Sequence, residues 1–205
     1  MSETLINREE YFKNPENIKE ELNTSFNSEL SIASLEVNKE EEITEEIEII
    51  EESKYKIINS YISLLNNLIE SNIINEIEEN DDDIFKQIKI PEISILNYLL
   101  RIIEYSNVEE NTLITSLIYI YKISKKIKII YFNLHKILFT SILISLKLNE
   151  DEIYPFYYYS QIAGINQEEL MQLELNFYSL IDFNLFVNEE TFNYYQKIIL
   201  NNIES

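Results

Sequence analysis

The sequence predicts an all-α fold. It has one glycine and three prolines in 205 residues, too few for the turns that sandwiches and barrels need. Beyond residue 54, apolar residues recur at the three- and four-residue spacings of a helical face. Hydrophobic residues make up 45% of the chain, enough for the core of one domain plus an additional segment.

Charge and composition exclude several classes of function. The formal net charge of -21 disfavours binding to nucleic acids and anionic lipids, which depends on Lys and Arg. The absence of cysteine excludes disulfides and thiolate chemistry. The sequence shows no signal-peptide pattern and no apolar run of about 20 residues. We therefore expect a cytoplasmic or nuclear protein, or one present in both compartments, with neither nucleic acid nor membrane as a partner.

The first 53 residues differ from the rest of the chain. They contain 16 acidic and 4 basic side chains, and their apolar clusters are too sparse to offset the entropy of ordering. We predict an acidic, mostly disordered arm over residues 1–53. The spacing of Ile43, Ile47 and Ile50 also suits an amphipathic helix that binds a partner.

Residues 54–205 are predicted to form one helical domain. Its first helix covers 54–79, and a short connector leads from it to Pro91, which is compatible with a helix start. The helices that follow are predicted at 92–105, 109–124, 131–148, 155–163 and 166–182, with a last helix from 188. The helix at 131–148 is apolar on nearly every side, so we expect it to be the buried central helix.

The only glycine lies between two of these helices. Gly164 can adopt a positive φ, which ends the preceding helix as a C-cap. Asn166 is then placed to cap the next helix, with Glu169 at the capping-box position. A tight connection between the two helices is therefore predicted.

Three strings in order resemble P-type cyclins, called U-type in plants: IPEISILNYLLRI (Ile90 to Ile102), FNLHKILFTSILISLKLNED (Phe132 to Asp151) and YSQIAGINQEELMQLELNFYSLIDFNL (Tyr159 to Leu185). The resemblance implies a five-helix cyclin box at about 91–185, with an extra N-terminal helix (54–79) and a C-terminal helix from 188. It also implies that the chain binds and activates a cyclin-dependent Ser/Thr protein kinase by fixing the kinase αC helix. Kinase substrates or an inhibitor are further candidate partners.

The resemblance also points to the residues that would contact the kinase. In cyclins a Lys late in the third box helix and a Glu in the fifth reach the kinase backbone near αC, and these positions correspond to Lys147 and Glu174. An apolar patch is expected around them from Leu148, Phe183 and Leu185, since interfaces need desolvated anchors. For Phe183, packing in the core is the alternative.

No enzymatic site is predicted. His135 is the only histidine, and it lacks the further ligands of a zinc site or the activated nucleophile of a catalytic site, so we expect a structural role. Loops that cradle phosphates need glycines that this chain lacks. We therefore predict a regulatory protein without a cofactor or a metal ion.

The sequence departs from the family pattern in the second box helix, and separately a second function stays open. Many cyclins have YLDR in the second box helix, whereas this chain has Tyr119, Ile120, Tyr121 and Lys122. The Asp of that motif braces an Arg in the first box helix, and residues 92–100 contain no Arg. The alternative to an activating cyclin is an adaptor or scaffold protein that keeps the cyclin-box fold without activating a kinase.

Overall fold

The structure, a computed structural model, describes residues 54–71 and 83–201. These residues form helices joined by turns and loops, with no strand among them, and the predicted all-α fold is confirmed. The acidic arm (1–53) and the predicted helical residues 72–79 lie outside the described residues, so the predictions for them stay predictions.

The described part of the chain contains seven helices: α1 (54–71), α2 (Ile95–Ser106), α3 (Glu110–Ile123), α4 (Leu134–Asn149), α5 (Phe156–Ala163), α6 (Gln167–Leu180) and α7 (Glu189–Asn201). Helices α2 to α6 are the five that were predicted for the box, and α1 and α7 flank them. None of these described helices has both the length and the apolar surface that a membrane crossing requires.

Helix α2 begins at Ile95, three residues later than predicted. The Ser94 side chain is the N-cap, because its hydroxyl accepts a hydrogen bond from the backbone N–H of Asn97 at 3.1 Å. An N-cap hydroxyl of this kind stabilises a helix by about 1 kcal/mol. The helix therefore starts at the residue that can cap it, and Pro91 lies in the preceding connector.

Helix α4 also begins three residues later than predicted, because Asn133 fixes the preceding turn. Its side-chain oxygen accepts from the backbone N–H of Ile130 at 2.9 Å. Its amide donates to the Asp83 carboxylate at 2.8 Å and to the carbonyl of Lys128 at 2.9 Å. These bonds hold residues 131–133 in a turn, so the first residue of the helix is Leu134.

Helix α4 is the central helix of the core, as predicted. Between Leu134 and Leu146 every residue except Lys136 is buried. Among helices α2 to α7, α3 and α4 are the pair that packs most extensively. The three hydroxyls on its buried faces donate to carbonyls of their own helix, at 2.7 to 2.8 Å: Thr140, Ser141 and Ser145. Small side chains that satisfy their own polar atoms allow the neighbouring helices to approach closely.

Helix α1 packs against the same core. Tyr61 is fully buried, and its hydroxyl is hydrogen-bonded to the hydroxyl of Ser116 on α3 at 2.8 Å. Burial raises the pKa of Tyr61. Burying an aromatic side chain of this size stabilises the fold by about 1.5–3 kcal/mol, so α1 belongs to the folded unit.

The connection from α5 to α6 has the predicted caps. Gly164 adopts φ 73°. Its backbone N–H donates to the carbonyl of Gln161, and the N–H of Ile165 donates to the carbonyl of Ser160, both at 3.2 Å. These two bonds form a Schellman motif. No atom lies within 4 Å of a Cβ added at Gly164, so glycine is required here for its φ. Asn166 caps α6 by accepting from the backbone N–H of Glu169 at 2.7 Å.

Candidate partner-binding face

Lys147 and Glu174, 27 residues apart in the sequence, are in contact in the structure. The Lys147 Nζ lies 2.5 Å from the Glu174 Oε1, and the Tyr178 hydroxyl donates to the same oxygen at 3.3 Å. The Lys147 ammonium also lies 4.9 Å from the centre of the Phe156 ring, within the range of a cation–π contact. The fold therefore brings the two predicted residues together, while their role in binding stays a prediction.

The position of this pair follows from how α6 packs on the core. Leu170, Leu173 and Phe177 of α6 are buried, and the Phe177 ring meets Phe85 edge to face at a centroid distance of 6.2 Å. Glu174 lies among these anchors and is itself buried, so its carboxylate needs a partner. Lys147, in the last turn of α4, supplies that partner.

Exposed apolar side chains lie beside the ion pair, since Leu148 follows Lys147 directly and lines the same groove as Leu185 and Phe186. The exposed fractions are 52% for Leu148, 71% for Phe183 and 77% for Phe186, while Leu185 is half-buried. The alternative that Phe183 packs in the core is wrong, because its ring stacks on the Tyr178 ring at 6.2 Å and 11° and remains exposed. We call Leu148, Phe183, Leu185 and Phe186 the apolar face.

Phe186 is the member of the apolar face that the sequence did not reveal. Its only signal is the apolar run that begins at Leu185, which is equally typical of a buried segment. Exposed apolar clusters of this kind are typical of surfaces that bind another protein.

The loop that carries three of these residues begins earlier than predicted. Helix α6 ends at Leu180, and Asp182 and Phe183 both adopt φ 54°. A left-handed conformation costs a non-glycine residue about 1–2 kcal/mol, so two in succession terminate the helix before residue 182. We call residues 182–186 the α6 loop.

Side chains from the α3 side of the fold hold the α6 loop in place. The Tyr119 hydroxyl donates to the carbonyl of Leu185 at 2.8 Å. The Lys122 ammonium donates to the carbonyls of Asn184 and Phe186 at 3.2 and 3.0 Å. Just after α3, Lys126 forms an ion pair of 2.6 Å with Asp182.

Tyr121, which occupies the position of the Asp in YLDR, packs on another aromatic side chain. Its ring centre lies 5.3 Å from that of Tyr195 on α7. Tyr121 thus joins the box to its C-terminal helix through a contact between two rings. Because residue 121 is a tyrosine and not an aspartate, it needs no Arg partner. Arg101 of α2 instead donates to the carbonyl of Gln161 at 2.9 Å.

His135 makes the contacts of a structural side chain. It is buried, its Nε2 lies 2.9 Å from the carbonyl of Ile93, and its ring centre lies 5.2 Å from that of Tyr98. Burial lowers the pKa of His135, which favours the neutral ring donating from Nε2. His135 also lines a cavity of about 240 Å³ beside Arg101 and Lys136. Within residues 54–71 and 83–201, no three His, Asp or Glu side chains are grouped to hold a metal ion.

Comparison with known proteins identifies the family. The family model of cyclins matches residues 21–185, and the match begins within the part of the chain outside the described residues. Cyclin-U4-3 of Arabidopsis thaliana is 36% identical over 136 residues, 61% of this chain and 62% of that protein. Cyclin-U4-1 of the same plant is 31% identical over 146 residues, covering 68% and 72%. The PHO85 cyclin-like protein psl1 of Schizosaccharomyces pombe is 33% identical over 121 residues, covering 57% and 50%.

The chain belongs to the cyclin family. Within that family, its similarity to U-type cyclins and to a PHO85 cyclin-like protein places it among the U- and P-type cyclins. The matched region spans 62% of the length of Cyclin-U4-3. Membership of this family supports a regulatory role.

Proposed function

We propose that this chain is a regulatory subunit that binds a cyclin-dependent Ser/Thr protein kinase and activates it by fixing the kinase αC helix. The observation that carries the proposal is the Lys147–Glu174 ion pair next to the exposed apolar face. A charged pair and apolar anchors on one surface provide both the polar contacts and the desolvated area that a protein interface needs.

The mechanism is allosteric. An active kinase requires its β3 Lys to pair with the αC Glu, so a protein that packs on αC in its inward position favours the active state. The ammonium of Lys147 has donors left for kinase backbone carbonyls, and the Glu174 carboxylate can accept from backbone N–H groups. Because each already neutralises the other, neither charge is left unpaired when water is excluded from the interface.

The remaining features of the proposal follow from composition. The charge of -21 makes a basic or polar protein surface a better partner than nucleic acid or membrane. We place the complex in the cytoplasm, the nucleus or both. This chain is proposed to hold no cofactor of its own, because the chemistry is that of the kinase.

Binding and activation are tested together with a panel of recombinant cyclin-dependent kinases. Each kinase is titrated with the purified 205-residue chain by calorimetry, and phosphorylation of a generic peptide is measured with and without saturating chain. We expect a stable complex with at least one kinase and an activity increase of about 10- to 1,000-fold, because a minor active state is populated at about 0.1–10%. A complex without activation would instead support an adaptor, and the absence of any complex would reject kinase binding.

A further inference from the structure

The α6 loop depends on α3 for its order. Phe183 and Asn184 donate backbone hydrogen bonds to Tyr178 and Ile181 at 2.8 and 2.9 Å. Beyond them, within the described residues, no backbone–backbone hydrogen bond involves Leu185 or Phe186. The carbonyls of residues 184–186 are instead bonded by side chains of Tyr119 and Lys122. We call these two side chains the α3 latch.

The two side chains of the α3 latch support each other. They are separated by three positions, so they lie on the same face of α3, and the Lys122 ammonium lies 5.5 Å from the centre of the Tyr119 ring. Tyr119 is fully buried, and burial raises its pKa to about 12. Because Tyr119 is inaccessible, it cannot contact a partner directly and can act on one only through the loop.

We infer that Tyr119 and Lys122 are positioning residues of the kinase interface, which hold the α6 loop so that Phe183 and Phe186 are already placed for binding. This inference rests on the proposed function. Phe183 and Phe186 project from a loop with two left-handed residues, so an unattached loop would have to be ordered when the kinase binds. The α3 latch orders the loop before binding and thereby strengthens the affinity.

The test uses substitutions that remove the latch bonds and preserve the bulk of the side chains. Tyr119→Phe removes one hydroxyl, Lys122→Met removes the ammonium, Lys122→Arg is the conservative variant, and Lys125→Met is the control for loss of a neighbouring lysine. Amide hydrogen exchange is measured in the full free chain. Affinity and saturated activity are measured with the kinase of the panel that binds the wild-type chain most tightly.

We expect exchange of the hydrogen-bonded loop amides, those of Phe183 and Asn184, to accelerate by about tenfold in Tyr119→Phe and Lys122→Met, with exchange in α4 unchanged. The Kd should weaken by about tenfold, while activity at saturating chain stays within about twofold, since the contacting residues are intact once the complex has formed. Lys122→Arg should recover most of the affinity, and Lys125→Met should match the wild type.

Two results would overturn the inference: unchanged exchange in the loop with unchanged Kd, or acceleration spread over the whole chain, which indicates a structural role. If the wild-type chain binds no kinase in the panel, the proposed function fails, and exchange in the free chain still decides whether the α3 latch orders the loop. The two failures are therefore distinguishable.

Discussion

Helices α4 and α6 are joined by two Lys–Glu ion pairs that lie in different surroundings. Near the start of both helices, Lys136 and Glu169 are 2.8 Å apart, with 15% and 36% of their side chains exposed. At the end of α4, Lys147 and Glu174 are 2.5 Å apart, with 29% and 11% exposed. In the first pair the lysine is the more buried partner, and in the second pair it is the glutamate.

This reversal determines what each pair can offer to another protein. Glu174 is the more buried member of its pair, so the Lys147 ammonium is on the solvent side and has donors left for a partner. At the other end, the Lys136 ammonium is the enclosed group, and it lies beside a cavity rather than beside an exposed apolar surface. We therefore propose that the Lys147 pair is a binding element, whereas the Lys136 pair links the two helices.

The largest effect that distinguishes the two pairs is expected in kinase activation. Lys147→Glu should reduce the affinity for the kinase by at least about 30-fold, because truncating one partner of a buried charge pair at an interface costs about 2–5 kcal/mol. Both variants place two carboxylates next to each other. Lys136→Glu does so near the start of α4, away from the apolar face, and should leave activation within about twofold. Calorimetry and a peptide phosphorylation assay measure both variants, after thermal unfolding has shown that each is folded.

A charge-swapped variant separates contact with the kinase from stability of the pair. Lys147→Glu combined with Glu174→Lys restores the attraction within the chain, but places a carboxylate where the kinase backbone needs a donor. We expect recovered thermal stability without recovered activation. Full recovery of activation would mean that the pair is only structural.

An intermediate effect is expected at the other end of α4, where His135 makes stability depend on pH. Burial lowers the pKa of His135 below its ordinary value of 6.5, so the unfolded chain binds a proton more readily than the folded chain. Stability is therefore lost as the pH falls through about 6.5. The loss from this one group is at most about 1.4 kcal/mol per pH unit.

His135→Gln keeps a donor for the carbonyl of Ile93 and does not titrate. Urea unfolding at pH 7, 6 and 5 should show the wild type losing more stability on acidification than this variant, while the carboxylates contribute equally to both. Parallel pH profiles would contradict the assignment of a buried neutral imidazole.

The fold was largely predictable because periodicity and caps act locally. The central helix, Gly164 and Asn166 could be assigned from spacing and from the conformations that each residue type permits. The starts of α2 and α4 were misplaced by three residues. Helical periodicity continues across Ser94 and Asn133, whereas their capping and turn bonds depend on side-chain geometry, and for Asn133 on contact with Asp83.

The candidate site was predictable only in part. The resemblance selected Lys147 and Glu174, and their contact follows from the packing of α6 on α4. The α3 latch could not be predicted, because it joins residues more than 60 positions apart in an irregular loop. Likewise, the exposure of Phe186 depends on the left-handed conformations of Asp182 and Phe183. Sequence patterns place Asp182 in a helix and leave Phe183 open between core and surface.

The smallest effect is expected from neutralising the more exposed acid of the two pairs. Glu169→Gln should change the free energy of unfolding by less than about 0.5 kcal/mol, because the introduced amide oxygen can still accept from the Lys136 ammonium and the carboxylate that it replaces is 36% exposed. The N-cap bond from the Glu169 backbone N–H to Asn166 is unaffected. Glu174→Gln is the matched variant and should cost about 1–2 kcal/mol, since its buried oxygen accepts from both Lys147 and Tyr178. Urea unfolding at pH 7 compares the two, and equal losses would show that the difference in burial between the pairs has no energetic consequence.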